Sequence, residues 1–509
     1  MREHFNAAEW LVDRHVDADN GDRVAIIQGE NQYSYADVQA ASRNAATGFV
    51  ALGVRPEERV AMVMLDSIEF VAAFLGALRV GAVPVPINPL LPGRDLGVIV
   101  ADARARIVVV SAERTGALEA LLAGAPEVHT TVTTAPTADD SSASLTGWTD
   151  FTSSTEQAPV YNTWAESPGF WLCTSGSTGA PKLAMHRHGD IVATCETYAD
   201  QVLGITSDDV CYSVGPMFHA YGLGNSLTFP FSVGATAVLD PLRPPNPLRV
   251  AETVRRHDVS LFFCIPTFYA AMLASADLAD DAFASVRFGV SAAEALPTET
   301  FERFGERFGV TILDGIGSTE QLHIYLSNAP GATRAGTSGR AVPGYESRVV
   351  DDQGEDQPDD VPGQLLVRGP AVATGYWCRA DTSRDTFRGE WMHTGDLYAR
   401  DADGFHTYLG RVDDMLRVGG EWVSPAEVEA VLIEHASVLE AAIVGQVDDQ
   451  GVLRPVAYVV SADGAEPDAD PLTAHCRDRL AGYKRPKRYE FIDALPKTAT
   501  GKIQRFKLR

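Results

Sequence analysis

The sequence lacks a long uninterrupted apolar segment. Its longest apolar stretch, residues 70–87, contains Arg79 and two prolines, so it is too short and too broken to cross a bilayer. This stretch predicts a buried helix followed by a buried strand. Residues 1–16 mix charged side chains into an amphipathic helical pattern and lack the apolar core of a signal peptide. We therefore expect a cytoplasmic protein without a membrane span.

Cysteine is scarce, and its spacing excludes two kinds of site. The six cysteines lie far apart, with no CxxC pair and no spacing typical of Cys/His metal ligands. This pattern speaks against a zinc site and against a disulfide scaffold. We expect isolated buried thiols at Cys173, Cys195, Cys211, Cys264, Cys378 and Cys476.

Basic residues are fewer than acidic ones, with 42 Lys and Arg against 68 Asp and Glu, so the formal net charge is −26. Such an acidic chain disfavours nonspecific binding to nucleic acid or to an anionic membrane. Residues 477–509 are the exception, with eleven Lys/Arg against three Asp/Glu. We expect a polyanionic small molecule as the partner of this basic segment.

The apolar pattern that is present predicts a layered α/β protein. Strand-like runs alternate with helical stretches, as in doubly wound folds. The strand-like runs lie at 59–63, 105–110 and 260–265, and a clear helical stretch lies at 247–257. At 509 residues, and with roughly 100 to 200 residues per domain, we expect about two to four units.

Three further segments differ from this pattern. Residues 130–156 show no apolar period and predict a surface excursion before a strand near Phe170. Residues 339–411 alternate short strands and turns, which predicts a β-rich subdomain. After it, Ser424 caps a predicted helix, and strands at 438–446 and 455–460 complete a small α+β module.

Residues 174–182 read TSGSTGAPK and have the composition of a phosphate-binding loop. Glycines let backbone N–H groups approach a polyphosphate, hydroxyls donate hydrogen bonds, and a lysine adds positive charge. It is not a Walker A loop, because Pro181 precedes the lysine and Leu183 follows it. A flexible turn is the alternative. The candidate phosphate ligands are Thr174, Ser175, Gly176, Ser177, Thr178, Gly179 and Lys182.

This loop resembles the signature of the adenylate-forming superfamily, which includes acyl-CoA synthetases, luciferases and peptide-synthetase adenylation domains. Later motifs follow in the family's order, and the closest resemblance is to benzoate and hydroxybenzoate:CoA ligases, a group that extends to salicylate:CoA ligases. The resemblance implies a large N-terminal acid- and ATP-binding domain of layered α/β subdomains (1–411), with the β-rich subdomain at its end. It also implies a small mobile α+β C-terminal domain (412–509) that turns about a hinge at Asp413.

The same resemblance assigns a nucleotide site. Asp314 would accept from the adenine amino group, Thr319 would contact phosphate, and Glu320 would hold Mg²⁺. The family usually has Tyr where this chain has Ile316, which weakens adenine stacking. A dinucleotide-binding reading of GIGSTE fails, because Glu320 replaces the required glycine. Also assigned to the nucleotide are Ser291, Ala292, Ala293, Glu294 and Gly315, with Asp396 and Arg411 at the ribose.

The C-terminal motifs imply a moving cation and a CoA site. Lys502 would enter to bridge the carboxylate and the α-phosphate, while a solvated tail is the plain alternative. Gly419 and Gly420 would leave room for pantetheine, or form a simple hairpin turn. The basic run predicts CoA phosphate contacts, or only a solvated face, with these candidates: Tyr483, Arg485 and Lys487.

A flat pocket for one aromatic ring is the remaining implied site. His219 would either answer a ring hydroxyl or amino group, or act as a gate residue. Substituted benzoates such as salicylate, hydroxybenzoates and anthranilate are therefore the expected acids. The residues implied for this pocket are His219, Ala220, Tyr221, Gly222, Gly317, His323 and Ile324.

The sequence thus predicts an ATP-, Mg²⁺- and CoA-dependent aryl acid:CoA ligase. It would form aryl-AMP and pyrophosphate, then aryl-CoA and AMP. We expect neither a nucleic-acid nor a membrane partner. A homodimer is the expected oligomeric state. The alternatives are an adenylation enzyme that loads a carrier-protein thiol, an aliphatic acid:CoA ligase, and a non-catalytic nucleotide sensor.

Overall fold

The structure is a computed structural model of the chain. It describes residues 3–135, 145–154, 156–175, 181–412, 414–418, 421–448, 451–462, 466, 468–496 and 503–508. Across these ranges no helix combines the length and the apolar content that crossing a membrane requires.

The chain divides into two compact units. The larger comprises Met1–Glu346 and Val367–Met392, and the smaller comprises Ser347–Leu366 and His393–Arg509. This division groups much of the β-rich segment with the C-terminal residues. The predicted mixed α/β class, with a large N-terminal and a small C-terminal part, is confirmed, and the boundary at 411 and the hinge stay predictions.

The described strands, numbered in chain order, are β1 (Val24–Gln28), β2 (Asn31–Ser34), β3 (Arg59–Val63), β4 (Val83–Pro86), β5 (Ile107–Val110), β6 (Thr130–Thr133), β7 (Leu145–Gly147), β8 (Pro168–Ser175), β9 (Pro181–Arg187), β10 (Val210–Ser213), β11 (Thr236–Leu239), β12 (Leu261–Cys264), β13 (Phe288–Ser291), β14 (Ile312–Gly317), β15 (Ile324–Ser327), β16 (Arg340–Ala341), β17 (Glu346–Val350), β18 (Gly363–Arg368), β19 (Phe387–Arg388), β20 (Trp391–Arg400), β21 (His406–Arg411), β22 (Leu416–Val418), β23 (Glu421–Val423), β24 (Val438–Val447), β25 (Leu453–Ser461) and β26 (Arg488–Phe491).

The described α-helices are α1 (Arg14–Asp17), α2 (Tyr35–Ala51), α3 (Ile68–Arg79), α4 (Gly93–Asp102), α5 (Leu118–Gly124), α6 (Trp148–Phe151), α7 (His188–Thr194), α8 (Ala220–Leu223), α9 (Phe229–Val233), α10 (Pro247–Arg256), α11 (Pro266–Ala274), α12 (Thr298–Phe308), α13 (Ala380–Thr386), α14 (Pro425–Ile433) and α15 (Ala469–Arg479). Short π turns lie at Glu9–Asp13, Cys195–Asp200 and Gly224–Thr228, and 3-10 turns at Ala112–Ala117, Thr319–Gln321 and Arg505–Lys507.

A nine-stranded sheet forms the base of the larger unit, in the order β16-β15-β14-β13-β12-β10-β11-β1-β2. Strands β1 and β10 to β14 run parallel, and the flanking strands β2, β15 and β16 are antiparallel. Aromatic residues of β12, α11 and α12 fill the core on one face, including Phe262, Tyr269 and Phe304. In such sheets the carboxyl ends of the strands form the crevice where ligands bind.

A second, all-parallel sheet has the order β4-β3-β5-β6-β7. The predicted helix and strand within residues 70–87 are confirmed as α3 and β4. The prediction of a surface excursion at residues 130–156 is wrong, because β6 and β7 extend this sheet and Val132 is fully buried. The β-branched residues of the TTVT run pair with β5, an interaction between distant segments that local polarity did not reveal.

In the smaller unit, β24, β25 and β26 form a sheet against which α14 and α15 pack. Ser424 caps α14 as predicted, accepting a hydrogen bond from the Glu427 amide at 3.2 Å. Arg505 donates to the Glu429 carboxylate of α14 through Nε and Nη2, with Nη2 at 2.7 Å from Oε2. This ion pair ties the end of the chain to the helix.

The cysteines are free, as predicted. Cys195, Cys211, Cys264 and Cys476 are buried, whereas Cys378 is exposed, so the prediction of burial is wrong for that residue. It precedes α13 on the surface segment that follows β18.

A buried ion pair fixes the N-terminal segment to the larger unit. Arg79, which is 1% exposed, donates to both carboxylate oxygens of Asp13, with Nη1 at 2.9 Å from Oδ2, and through Nε to the Ser42 hydroxyl at 2.9 Å. Because both charges are removed from water, breaking the pair costs more than replacing both partners by apolar side chains.

We therefore expect Asp13→Ala to lower the free energy of unfolding by about 3 to 5 kcal/mol, because it leaves Arg79 buried without its partner. Urea unfolding followed by tryptophan fluorescence measures the change. The double variant Asp13→Leu/Arg79→Met should recover most of the loss. A single variant as stable as the wild-type protein would contradict the argument.

Candidate active site

The predicted adenine-binding residues lie at the carboxyl ends of two adjacent parallel strands. Ser291 ends β13, Asp314 lies in β14, and the two are direct partners in the register of the sheet. Both are buried, and the Ser291 hydroxyl and Asp314 Oδ1 have no hydrogen-bond partner at normal distance among the described residues. Buried polar atoms left in this way are suited to bind a ligand.

Burial raises the pKa of the Asp314 carboxyl to about 8. The Ser291 hydroxyl and the backbone N–H groups of Gly315 and Leu296 lower the pKa, but they offset only part of that effect. Burial therefore favours the protonated form of Asp314 near neutral pH. A donor such as an amino group would favour its ionised form.

The loop after β13 carries a backbone outlier. Ala293 has φ +78°, a left-handed conformation that is uncommon for a residue with a Cβ. The neighbouring Ala292 is buried, and Glu294 is half-buried. Such conformations cost about 1 to 3 kcal/mol and cluster at ligand sites, which agrees with the predicted role of residues 291–294.

The predicted phosphate- and metal-contacting residues form a 3-10 turn after β14. Inside the turn, the Ser318 hydroxyl accepts from the Gln321 amide at 3.3 Å. From outside, His186 Nε2 donates to the Thr319 carbonyl at 2.7 Å, and the Ala373 amide donates to the Glu320 carbonyl at 2.7 Å. Thr319 and Glu320 are therefore held by two separate segments of the larger unit.

His186 lies on β9 and is itself fixed. It is 1% exposed, and its Nδ1 lies 3.1 Å from Asp190 Oδ2. Asp190 also accepts from the Arg187 amide and side chain at 2.9 Å each. The two ring nitrogens of His186 thus face two acceptors, a carboxylate and the Thr319 carbonyl.

The predicted phosphate loop connects β8 to β9. These strands are antiparallel, and Thr174 pairs with Lys182 across the base of the loop. The Ser175 backbone continues β8, whereas its side chain and Gly176, Ser177, Thr178 and Gly179 lie outside the described residues.

Lys182 and Glu320 both contact Tyr376, a residue that the sequence did not indicate. The Lys182 ammonium lies 4.5 Å from the centre of the Tyr376 ring, and the Tyr376 hydroxyl donates to Glu320 Oε1 at 2.6 Å. This chain of contacts places the predicted phosphate lysine and the predicted metal carboxylate around one phenol.

The residues here fit a magnesium ion that is held largely by a substrate. No group of three or more His, Cys, Asp or Glu side chains that could form a metal cage occurs within the described ranges. Mg²⁺ in nucleotide sites typically needs only one or two carboxylates in addition to phosphate oxygens and water. The Glu320 carboxylate, with one oxygen accepting from Tyr376, supplies such a ligand.

The predicted acid-pocket residues gather around α8 and the turn before β15. His219 is the N-cap residue of α8 and contacts the Phe218 ring at 4.5 Å. Ala220 is buried, and Ile324 is 1% exposed. The Tyr221 hydroxyl lies 3.1 Å from the Cys264 carbonyl and 3.0 Å from that of Val290, so it bonds to the end of β12 and to β13.

His323 is the central residue of this group. It is 3% exposed and packs against the rings of Tyr221 and Phe229, with centroid distances of 5.6 and 4.4 Å. Its Nε2 donates to Asn225 Oδ1 (3.2 Å) and lies 3.3 Å from the Tyr221 carbonyl. Burial lowers the pKa of His323 to about 3, so the ring is neutral and Nδ1 is an acceptor.

Two glycines of this group are required by close packing. A Cβ at Gly222 would lie 2.1 Å from the Pro216 carbonyl, and one at Gly317 would lie 2.4 Å from the His323 carbonyl. Both contacts are with backbone atoms, which cannot move aside cheaply. The backbone of α8 can therefore pack against Pro216, and the end of β14 against His323, only because these two positions have no side chain.

Asp66 anchors the segment that leads into α8. Its Oδ1 accepts from the Met217 amide at 3.0 Å, and its Oδ2 accepts from Arg243 at 2.9 Å. Burial raises the pKa of Asp66 to about 6, and Arg243 and the Met217 amide oppose that rise. The acid-pocket wall is thus tied to a buried ionic network.

In the smaller unit, the predicted ribose pair is already in contact. Asp396 on β20 and Arg411 on β21 are register partners, and Arg411 Nη1 donates to Asp396 Oδ1 at 2.9 Å. Arg411 also donates to the Thr394 carbonyl at 2.9 Å. The arginine therefore fixes the carboxylate at the strand edge.

Several C-terminal predictions lie outside the described residues. These are the catalytic Lys502, the hinge Asp413, and Gly419 and Gly420, whose flanking strands β22 and β23 pair as an antiparallel hairpin.

Two of the predicted CoA-binding residues, Arg485 and Lys487, line a basic groove of the smaller unit together with Arg477 and Arg488. Arg485 is partly committed to the fold, because Nε donates to the Leu480 carbonyl at 2.8 Å and Nη2 to the Arg477 carbonyl at 3.0 Å. Lys487 and Tyr483 are exposed. Lys487 is thus better placed than Arg485 to meet a phosphate.

Sequence reasoning missed Tyr376, His186 and Asn225. Tyr376 follows Gly375 in a segment predicted only as β-rich, and no local pattern distinguishes it. His186 lies four residues before Asp190, a spacing that could have suggested their contact. Nothing in the sequence indicated that Asn225 accepts from His323.

Two family models match the chain. Residues 12–377 match AMP-binding enzyme, and residues 427–502 match AMP-binding enzyme C-terminal domain. The class is therefore a nucleotide-binding enzyme built from a large domain and a smaller C-terminal one. The chain belongs to the AMP-binding enzyme family, which confirms the resemblance found in its motifs.

Individual relatives match over almost the whole chain. Benzoate–CoA ligase of Thauera aromatica is 43% identical, with 100% of this chain and 96% of that protein covered. The 4-hydroxybenzoate–CoA/benzoate–CoA ligase of Rhodopseudomonas palustris is 40% identical, covering 99% and 94%. The crystal structure of an anthranilate CoA ligase in complex with anthranoyl-AMP has a TM-score of 0.93 at 36% identity, covering 100% and 97%.

The raised pKa of Asp314 predicts a pH-dependent stability. Between the ordinary carboxyl pKa and about 8, the folded protein binds a proton that the unfolded chain does not, so rising pH destabilises the fold. Asp314→Asn does not titrate. Its free energy of unfolding, measured without ligands, should therefore gain on that of the wild-type protein from about pH 5 to about pH 8, by up to about 1.4 kcal/mol per pH unit. A difference that stays constant over this range would contradict the assignment.

Proposed function

We propose that this chain is an ATP-dependent aryl acid:CoA ligase that forms an aryl-adenylate and then an aryl-CoA. The observation that carries the proposal is the close, full-length match to a structure that holds an aryl-adenylate, anthranoyl-AMP. Full-length identity to benzoate and hydroxybenzoate CoA ligases supports it further. The rings of Tyr221 and Phe229 pack against His323, and such aromatic surroundings support an aromatic ring as the acid's side group.

In the first half-reaction, an oxygen of the aryl carboxylate attacks the α-phosphorus of ATP, and pyrophosphate leaves. Asp314 and the loop at 291–294 hold the adenine, Asp396 and Arg411 hold the ribose, and Thr174 to Lys182 with Thr319 hold the phosphates. Lys502 balances charge on the carboxylate and α-phosphate as the new bond forms. Glu320 would hold Mg²⁺, and the bound ion would supply positive charge beside the phosphates.

In the second half-reaction, the CoA sulfur attacks the aryl carbonyl carbon, the bond to the phosphate oxygen breaks, and AMP leaves. Adenylation needs a cation at the α-phosphate, whereas thiol attack needs an open path for pantetheine. Rotation about Asp413 would remove Lys502 and present Gly419 and Gly420 to the pantetheine arm. Positioning and electrostatics carry both steps, so no side-chain nucleophile is required.

His323 favours an acid with a hydrogen-bond donor on its ring. Its Nδ1 is a buried acceptor without a partner in the described part of the chain, and burial keeps the ring neutral. An amino or hydroxyl substituent would satisfy that atom, whereas an unsubstituted ring would leave it unpaired. His219 offers a second polar group at the pocket's edge. A hydroxybenzoate or an aminobenzoate is thus the proposed acid, and a homodimeric, cytoplasmic enzyme stays a prediction.

The direct test is a panel of acids assayed for CoA-dependent AMP release. Benzoate, hydroxybenzoates and aminobenzoates should exceed C4 to C12 fatty acids in kcat/KM by at least about 10-fold, because an aromatic pocket cannot house an alkyl chain well. The matched control is Lys502→Ala, which should lose acid-dependent ATP–pyrophosphate exchange. Preference for a fatty acid would favour the aliphatic ligase, and absence of exchange with any acid would favour the nucleotide sensor.

The CoA site separates a CoA ligase from a carrier-protein enzyme. Lys487→Ala should raise the KM for CoA by about 10-fold, the effect of one lost charge-assisted contact, and leave the KM for ATP unchanged. The control is Lys484→Ala, because the Lys484 ammonium is bound to Glu427 at 2.6 and 2.7 Å. Equal CoA kinetics in the two variants would favour transfer to a carrier protein.

A further inference from the structure

Tyr376 contacts both an acidic and a basic side chain of the predicted phosphate and metal site, Glu320 and Lys182. Its side chain is 4% exposed, and its hydroxyl donates to Glu320 Oε1 at 2.6 Å. A hydrogen bond from a phenol to an ionised carboxylate in a buried place is among the stronger polar contacts in proteins. The bond occupies one oxygen of the carboxylate and fixes the direction of the other.

The ring face of the same residue contacts the lysine. Lys182 Nζ lies 4.5 Å from the ring centroid, within the distance at which a cation is attracted to an aromatic face. Tyr376 thus meets the carboxylate through its hydroxyl and the ammonium through its ring. Each charged group has its own contact on the phenol.

The backbone around Tyr376 makes this contact rigid. Residues 374–377 pair with β9, through the Thr374 and Trp377 amides at 2.9 Å from the Met185 and Leu183 carbonyls. The ring packs against Phe387 with centroids 5.4 Å apart. One residue before this pairing, the Ala373 amide donates to the Glu320 carbonyl. The segment that carries Tyr376 therefore holds both the backbone and the side chain of Glu320.

We propose that Tyr376 is the positioning residue that presents Glu320 to Mg²⁺ and Lys182 to the ATP phosphates. The inference rests on the proposed adenylation chemistry and adds a residue to it. Mg²⁺ demands near-octahedral geometry and takes few protein ligands here, so the orientation of one carboxylate has a large effect on its binding. Groups that orient a metal ligand typically account for 10- to 100-fold in metal affinity.

Tyr376→Phe removes the hydroxyl and keeps the ring over Lys182. We expect the Mg²⁺ concentration for half-maximal acid-dependent ATP–pyrophosphate exchange to rise by about 10-fold, with the rate at saturating Mg²⁺ nearly retained. A readout independent of turnover is ATP binding measured by calorimetry. Binding with Mg²⁺ present should weaken in the variant, and binding in excess EDTA should match the wild-type protein.

The matched control is Tyr35→Phe, which removes another fully buried phenol, one that donates to the Ala235 carbonyl at 2.7 Å. It should lower the melting temperature without changing the Mg²⁺ requirement. If Tyr376→Phe behaves in the same way, Tyr376 is a structural residue only and the inference is wrong. If the wild-type protein shows no exchange, the proposed function fails instead, and the calorimetric comparison still decides the role of Tyr376.

Tyr376→Leu tests the ring contact. It removes the aromatic face as well, so ATP binding in EDTA should also weaken, because Lys182 loses the contact that orients it. Unchanged metal-free binding in a folded Tyr376→Leu protein would overturn the part of the proposal that concerns Lys182.

Discussion

A turn of three residues cannot by itself hold a carboxylate in one place, and the site depends on how the Thr319–Gln321 turn is held. The turn has one internal capping contact, from Ser318. The Thr319 carbonyl accepts from the ring of His186, which lies on β9. The Glu320 carbonyl accepts from the amide of Ala373, which lies beside the segment that pairs with β9. The strand that leaves the phosphate loop therefore also fixes the carboxylate that follows β14. The predicted phosphate and metal ligands are therefore held in position through the same strand, β9.

Burial sets the charge pattern inside this site. Asp314 and His323 lie deep enough that the neutral forms are favoured, with pKa values of about 8 and about 3. In a low-dielectric environment a single hydrogen bond to such a group discriminates strongly, because an unmade bond is costly. Asp314 belongs to the predicted adenine site and His323 to the predicted acid pocket, so both predicted sites would select by hydrogen bonding.

Local patterns predicted the elements whose burial follows from their own residues. The strand at residues 59–63, the helix near 247–257 and the Ser424 cap all occur as expected, because apolar period and capping chemistry act within a few residues. The motif resemblance brought Ser291 and Asp314 together, and they are indeed register partners. What failed depends on distant pairing. β6 has a threonine-rich sequence and becomes a strand only beside β5, and Tyr376 reaches Glu320 only because its segment pairs with β9. Arg485 stays a predicted CoA-phosphate ligand, and the sequence did not indicate that its Nε and Nη2 donate to the Leu480 and Arg477 carbonyls.

The register of β1 has a consequence for biosynthesis. Ile26 pairs with Ala237, so β1 finds its parallel neighbour only after some two hundred further residues have been translated. The strands from β3 to β5, by contrast, find each other within about fifty residues. Loop closure over long separations is slow, and an unpaired apolar strand is prone to aggregate in the meantime. The apolar strand Val24–Gln28 therefore stays without its parallel neighbour until β11 has been synthesised.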